Sequence, residues 1–89
     1  MNVAELLSDE SKWCKGKAVD GQAKCLGTAI LRCYEFGPGR LKAIASIREC
    51  IPVGSYSASP HAVDFIIAFN DHPDTTFEMV RKVVLEAGV

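Results

Sequence analysis

A polar turn that leads into an amphipathic helix constrains the fold more than any other stretch of this chain. Residues 69–78 read Phe-Asn-Asp-His-Pro-Asp-Thr-Thr-Phe-Glu. Thr75 and Glu78 have the spacing of a capping box, in which a hydroxyl and a carboxylate bond otherwise unpaired amides of the first helical turn. An apolar stripe at helical spacing follows, made by Val80, Val83, Val84 and Ala87. The sequence therefore predicts a C-terminal helix, with Gly88 as its stop.

A second helix is predicted from about Gly21 to Phe36. Its stripe consists of Leu26, Ala29, Ile30 and Cys33. Asp20 is placed to cap it, and the Gly37-Pro38-Gly39 stretch would end it. Gly27 lies inside this helix, where glycine costs about 1 kcal/mol relative to alanine, so we expect another backbone to approach closely there.

A third helix is predicted over 40–51, before the stop at Pro52-Val53-Gly54. Its buried face would hold Leu41, Ile44, Ile47 and Ile51. At the N-terminus, the stripe of Val3, Leu6 and Leu7 and the capping residue Ser8 indicate a broken helix that carries Trp13. Residues 15–21 read as a loop.

Residues 59–69 fit two structural periods. Ser59 as a cap and Pro60 at the first helical position favour a helix. Alternation of apolar residues over 63–69, with β-branched and aromatic side chains, favours a strand. We favour the helix, because no second strand is evident for pairing.

Composition places the chain among small globular domains. It has 89 residues, 48% hydrophobic and 24% charged, which indicates one domain over 1–89. We expect a mainly α fold, a compact bundle of four to five short helices, with an α+β fold carrying a short strand at 63–69 as the alternative. The core of so short a chain is thin, so a homodimer would supplement it.

No apolar run is long enough to span a bilayer, and the N-terminus lacks the features of a secretory signal, so we expect a cytoplasmic protein. The four cysteines, Cys14, Cys25, Cys33 and Cys50, are then expected to be reduced. They form no C-x-x-C pair, and the two histidines form no metal-binding unit, so we expect neither a metal site nor a cofactor.

Charge is distributed unevenly. From Ser11 to Arg48 the chain carries eight basic and two acidic residues, although the whole chain has a net charge of −1. This basic middle could attract nucleic acid, but the chain has neither a high pI nor an aromatic-basic motif, so nucleic-acid binding is a secondary alternative.

Cys25 is the residue with an enzymatic interpretation. It is predicted in the first turns of a helix beside Lys24, where a helix dipole and a cation lower a thiol pKa. His61 or His72 would serve as its base, as in a thiol-dependent hydrolase or transferase. A local nucleophile motif is missing from the sequence, so we rank this alternative below binding without catalysis.

Three segments together resemble a family of short bacterial and phage proteins, a domain of unknown function. They are Trp13, residues 23–30 (Ala-Lys-Cys-Leu-Gly-Thr-Ala-Ile) and residues 69–76, and they match a tryptophan, a Cys-Leu-x-Gly-Ala helix and an aromatic-Asn-Asp turn. Gly27 follows Leu26 directly and Phe69 stands where tryptophan is common, so the match departs from the family pattern at both places. The resemblance brings no assigned activity. It implies an accessory protein, such as an inhibitor or adaptor carried by a phage or mobile element.

These observations favour a protein that works by binding another protein. Aromatic residues dominate interface hot spots, and polar turns expose backbone and side-chain groups to a partner. The expected binding residues are Trp13, Lys15, Lys17, Asn70, Asp71 and His72. The simpler interpretation is that Trp13 packs in the core and that Asn70 and Asp71 shape the turn.

Overall fold

The computed structural model describes residues 2–52 and 62–89, and for Ala62 the backbone alone. The helices are α1 (Val3–Leu6), a 3₁₀ helix (Glu10–Lys12), α2 (Leu26–Cys33), α3 (Pro38–Cys50), α4 (Ala62–Asp71) and α5 (Phe77–Ala87). Strands β1 (Val19–Asp20) and β2 (Ala23–Lys24) form a small antiparallel hairpin. The mainly α prediction is confirmed, and the alternative of a strand at 63–69 is wrong. The predicted cap Ser59 and Pro60 lie outside the described residues.

The N-terminal segment is a broken helix, as predicted. The side chain of Asn2 caps α1 by accepting the amide of Glu5 at 2.8 Å. Asp9 caps the 3₁₀ helix by accepting the amide of Ser11 at 2.9 Å, so the prediction of Ser8 as the cap is wrong by one residue. Both caps satisfy amides that the short helices leave unpaired.

The predicted helix start at Gly21 is wrong, because residues 19–24 form the β-hairpin. Gly21 is the first residue of the two-residue turn and has φ +62°. Glycine adopts such a positive φ without steric penalty. α2 begins only at Leu26, capped by Cys25 instead of Asp20, and it ends at Cys33. Gly37 and Pro38 were predicted to end α2, but they begin the next helix. Gly37 is the N-cap of α3, and Pro38 is its first residue.

Two side-chain predictions in the central helices need correction. Leu41 was expected on the buried face of α3, but it is 66% exposed, whereas Ile44, Ile47 and Ile51 are buried. A Cβ on Gly27 would meet a side-chain carbon of Ile67 in α4 at 3.3 Å, so the close neighbour of Gly27 is a side chain and not a backbone.

α5 begins one residue later than the capping-box prediction requires. The cap is Thr76, whose hydroxyl accepts the amide of Met79 at 3.3 Å. Thr75 is instead buried, and its hydroxyl donates to the carbonyl of Phe69 at 2.6 Å. The Thr75–Glu78 capping box is therefore wrong. The stop is confirmed, since Gly88 adopts the left-handed conformation with φ +70°.

One apolar cluster joins the five α-helices of the described residues. α3 lies against α5 and α4, and α2 lies against α1, α3 and α4. The largest fully buried apolar side chains are Phe69, Leu7, Leu26, Ile30, Ile47, Ile66, Val3, Val80 and Val84. Within the described residues, no helix has the length and apolar character needed to cross a bilayer.

Candidate functional site

The candidate site lies where the segment after the 3₁₀ helix meets the end of α4 and the turn that follows it, so Asn70 and Asp71, which the sequence placed in a turn, are the last residues of that helix. We call residues 13–18 and 70–74 together the loop–turn site. Asn70 lies at its centre with its side chain fully buried. Its position is set by α4, since the last turn of that helix brings Asn70 to the inner side next to the buried Phe69.

The side-chain amide of Asn70 joins three separate parts of the chain. Its oxygen accepts the indole N–H of Trp13 at 2.6 Å and the backbone N–H of Leu26 at 2.9 Å. Its nitrogen donates to the carbonyl of Cys14 at 3.0 Å and to the carboxylate of Asp71 at 2.8 Å. Both amide hydrogens and both oxygen lone pairs are thereby used. Asn70 is therefore a support for the site, and it has no group left for a partner.

Asp71 and Lys15 extend this connection to the surface. The carboxylate of Asp71 accepts the backbone N–H of Gly16 at 2.9 Å. The ammonium group of Lys15 donates to the carbonyls of His72 at 2.8 Å and Pro73 at 3.4 Å. The two segments are 55 to 58 residues apart in the chain, so these bonds hold a loop that has little secondary structure of its own.

Trp13 is half-buried and fills the space between the loop and α5. Its ring centroid lies 6.0 Å from that of Phe77, in a tilted arrangement, and the ammonium of Lys15 lies 5.7 Å from the Trp13 ring centroid. Such contacts add to the stability gained by burying an aromatic ring. Trp13 thus positions the loop through packing and through its indole hydrogen bond.

The exposed part of the site consists of Gly16, Lys17, Ala18, Asp71, Pro73 and Asp74. A groove of about 420 Å³ opens beside it. The groove is lined by Gly16, Lys17, Ala18, Cys25, Gly27, Thr28, Leu31, Val63, Ile67 and Asp71. Leu31 is 46% exposed and Ile67 39% exposed, so the groove combines an apolar floor with a cation and a carboxylate at its rim.

Cys25 lines this groove, but its thiol has a structural role. The residue is buried and precedes α2 as its cap, with the sulfur accepting the amide of Thr28 at 3.3 Å. The neighbouring thiol of Cys14 lies 3.4 Å from the carbonyl of Lys17. Burial raises the pKa of the Cys14 thiol, and the adjacent Cys25 and two carboxylates add to the rise.

Of the two histidines proposed as bases, His72 belongs to the part of the chain that the structure describes. His72 lies in the loop–turn site, half-buried, and its Nδ1 accepts the amide of Asp74 at 3.1 Å. His72 is not among the described residues that line the groove, and His61 lies outside the described part of the chain. Within residues 2–52 and 62–89, no cluster of three or more His, Cys, Asp or Glu side chains is placed to hold a metal ion.

A family comparison adds the context of the whole chain. The model of one protein family, described as a family of unknown function, matches residues 1–88. The chain belongs to DUF6197. The match confirms the resemblance to an uncharacterised domain family, and it includes every residue of the loop–turn site. No curated protein and no solved structure matches this DUF6197 member.

The structure brings together Trp13, Lys15, Asn70, Asp71 and His72 by direct contacts, and Lys17 joins Asp71 at the groove rim. Sequence reasoning missed the backbone partners of these side chains, Gly16 and Leu26. Gly16 has φ +73°, and a glycine between two lysines signals a turn, which could have marked it. The bond from Leu26 to Asn70 joins residues 44 positions apart and has no sequence signal.

Proposed function

We propose that the protein acts by binding another protein at the loop–turn site and the adjoining groove, without chemistry of its own. The observation that carries this proposal is the network around Asn70. It fixes a loop and a turn that would otherwise be free to move, and it presents their exposed groups in one arrangement.

Fixing these segments before binding favours association. Ordering each mobile side chain at an interface costs about 0.5–1.5 kcal/mol, and a network already formed in the free protein avoids much of that cost. Lys15 and Asn70 satisfy their polar groups inside the chain, so they do not compete with a partner. Lys17, Asp71 and Asp74 are exposed, and they would form the polar rim of the interface.

The groove supplies the apolar part of the proposed interface. Leu31 and Ile67 expose much of their side chains next to Val63, with Lys17 at the edge. An apolar side chain of the partner entering here would be desolvated, and a neighbouring carboxylate of the partner could pair with Lys17. This combination is typical of an interface centre with a charged margin.

Two arginines of the basic middle contact groups of the chain itself, which supports ranking nucleic-acid binding below protein binding. Arg40 donates to the carbonyls of Tyr34 at 2.8 Å and Leu31 at 3.3 Å, and Arg48 lies over the ring of Phe65 at 5.3 Å. Cations held by the chain in this way are less available to phosphates than the extended basic faces of nucleic-acid binding proteins.

The proposal is tested by photo-crosslinking in cells of the native host. A photoreactive amino acid replaces Lys17 at the groove rim or, as a matched control, Lys42, an exposed lysine of α3. We expect one crosslinked protein of defined mass from position 17, and none from position 42. The same product should be lost when Ile67→Asp places a charge in the groove.

Two results would contradict the proposal. One is the absence of a product from position 17 under conditions where the variant is folded and expressed. The other is an identical set of products from both positions, since that pattern reports random collision and not a specific surface.

A further inference from the structure

Cys14 and Cys25 lie opposite each other on neighbouring extended segments. Trp13 and Lys24 form a parallel β-bridge, and the amide of Cys14 donates to the carbonyl of Lys24 at 3.2 Å. The residues that follow this bridge on both segments are cysteines. Trp13 (φ −119°, ψ 141°) and Cys25 (φ −75°, ψ 165°) are extended, so Cys14 and Cys25 are neighbours across the two segments. The ladder itself stops at the bridge, because the Asn70 side chain bonds the carbonyl of Cys14 and the amide of Leu26, which would otherwise make the next backbone bond.

The register also sets which way the two thiols point. Successive side chains of an extended segment alternate between faces, so the two cysteines share the face opposite to Trp13 and Lys24. Adjacent strands lie about 4.8 Å apart. A disulfide spans Cα atoms about 4.4–6.8 Å apart, so the backbone spacing admits a bond between the two sulfurs.

Cys25 lines the groove, and the Cys14 thiol contacts the backbone of another lining residue, Lys17. The Cys25 sulfur also caps α2 through Thr28. Burial, and next the neighbouring Cys25, raise the pKa of the Cys14 thiol, so we expect its reaction with peroxide to become faster as the pH rises. The remaining cysteines, Cys33 and Cys50, belong to α2 and α3, and all four thiols are free in this structure.

We propose that Cys14 and Cys25 form a reversible dithiol–disulfide pair that reacts with peroxides. This inference does not depend on the proposed binding function. Peroxide oxidises one thiol to a sulfenic acid and releases one water. The second thiol then attacks the sulfenic sulfur, the S–S bond forms, and a second water leaves. The two thiols together lose two electrons and two protons, which reduce the peroxide to water.

The disulfide would alter the groove. Its formation draws the Cys25 sulfur toward Cys14 and away from the amide of Thr28, which loses its acceptor. The first turn of α2 then loses its side-chain cap at Thr28, a residue that lines the groove. Oxidation thus changes the shape of this surface, and a thiol reductant restores it.

The test is a linkage map of the native, full-length protein after treatment with hydrogen peroxide. Free thiols are then blocked, and the protein is digested with trypsin without reduction. Cleavage after lysine and arginine places the four cysteines in four different peptides, residues 13–15, 25–32, 33–40 and 49–81. We expect one dominant product, peptide 13–15 joined to peptide 25–32, with a mass two hydrogens below the sum, and its loss on reduction.

Serine variants distinguish this pair from general oxidation. Cys33→Ser and Cys50→Ser should retain the 13–15 to 25–32 product, whereas Cys14→Ser should lose it and leave Cys25 as a free thiol that is alkylated once the protein is unfolded. Because Cys25→Ser alters a helix cap, Cys14→Ser is the deciding variant, with its helical circular dichroism compared with that of the unmodified protein. The proposal is overturned if the folded protein instead gives bonds to Cys33 or Cys50, disulfide-linked dimers, or over-oxidised Cys14 and Cys25 without a bond between them.

Discussion

The loop–turn site and the interface between α3 and α5 are held together by different forces. The interface buries Ala43, Ile44 and Ile47 of α3 with Val80, Val83 and Val84 of α5 in one apolar cluster. The loop–turn site depends on the polar side chains of Asn70, Asp71 and Lys15, which bond backbone groups far away in the chain.

The two regions therefore contribute different properties: one stabilises the fold, and the other sets the shape of the candidate binding surface. Apolar burial stabilises by area and tolerates exchange among side chains of similar volume. A buried polar network has only one arrangement that satisfies every member, and removing one member leaves the others unpaired. We infer that the α3–α5 interface contributes general stability, whereas the network around Asn70 determines the form of the candidate binding surface.

Asn70→Ala should have the largest effect, because it removes the acceptor of Trp13 and Leu26 and the donor to Cys14 at a fully buried position. We expect a loss of about 3–5 kcal/mol in the free energy of unfolding, measured in urea. The matched control is Asn2→Ala, which removes the same amide from an exposed cap at a cost of about 1 kcal/mol. Equal losses in the two variants would contradict the network account.

Ile47→Ala should come next, with a loss of about 2–4 kcal/mol, because the side chain is fully buried in the apolar cluster. The tryptophan fluorescence of the folded variant should stay unchanged, since Trp13 reports on the loop–turn site and is the chain's single tryptophan. Ile67→Ala, at a partly exposed site, serves as the control and should cost about 1 kcal/mol. A red-shifted emission from folded Ile47→Ala would mean that the two regions are coupled.

Thr75→Val should cost about 1–2 kcal/mol in the same unfolding experiment. The side chain keeps its shape, but the carbonyl of Phe69 loses the buried hydroxyl donor and keeps the longer bond from the amide of His72 at 3.3 Å. Thr75→Ser retains the hydroxyl and should recover most of the hydrogen-bond contribution. If valine were as stable as threonine here, the turn between α4 and α5 would not need this bond.

Gly27→Ala should have the smallest effect, within about 0.5 kcal/mol of zero. Alanine gains about 1 kcal/mol of helix propensity, and the contact at 3.3 Å with Ile67 offsets it. The same substitution in an Ile67→Ala background removes the contact and should stabilise by about 0.5–1 kcal/mol. Identical effects in the two backgrounds would show that Ile67 does not restrict this position.

Sequence patterns predicted most of the buried residues at the apolar interface between α3 and α5. The stripes of Ile44 and Ile47 and of Val80 and Val83 repeat with the helical period, so a local pattern identifies them. The favoured helix over 63–69 is also confirmed by α4.

The hydrogen bonds of the loop–turn site were harder to predict, because the residues that they join are far apart in the sequence. Adjacent threonines offer two capping registers, and only the folded chain places Thr75 inward toward Phe69 and leaves Thr76 as the cap. The β-hairpin was not predicted, because two-residue strands are too short to show an alternation of apolar and polar residues. Gly21, at the first position of the turn, was a usable signal for a hairpin. The residues of the candidate site were named, but their division into buried supports and exposed groups required the fold.

Hydrogen exchange of the Trp13 indole N–H tests the central claim most directly. A single tryptophan gives a single indole resonance, and its proton bonds the buried Asn70 oxygen at 2.6 Å. The account predicts exchange as slow as that of the backbone amides of Val83 and Val84 in α5, and fast exchange in Asn70→Ala. An indole proton that exchanges at the rate of an exposed tryptophan in the unmodified protein would contradict the claim that Asn70 fixes the loop–turn site.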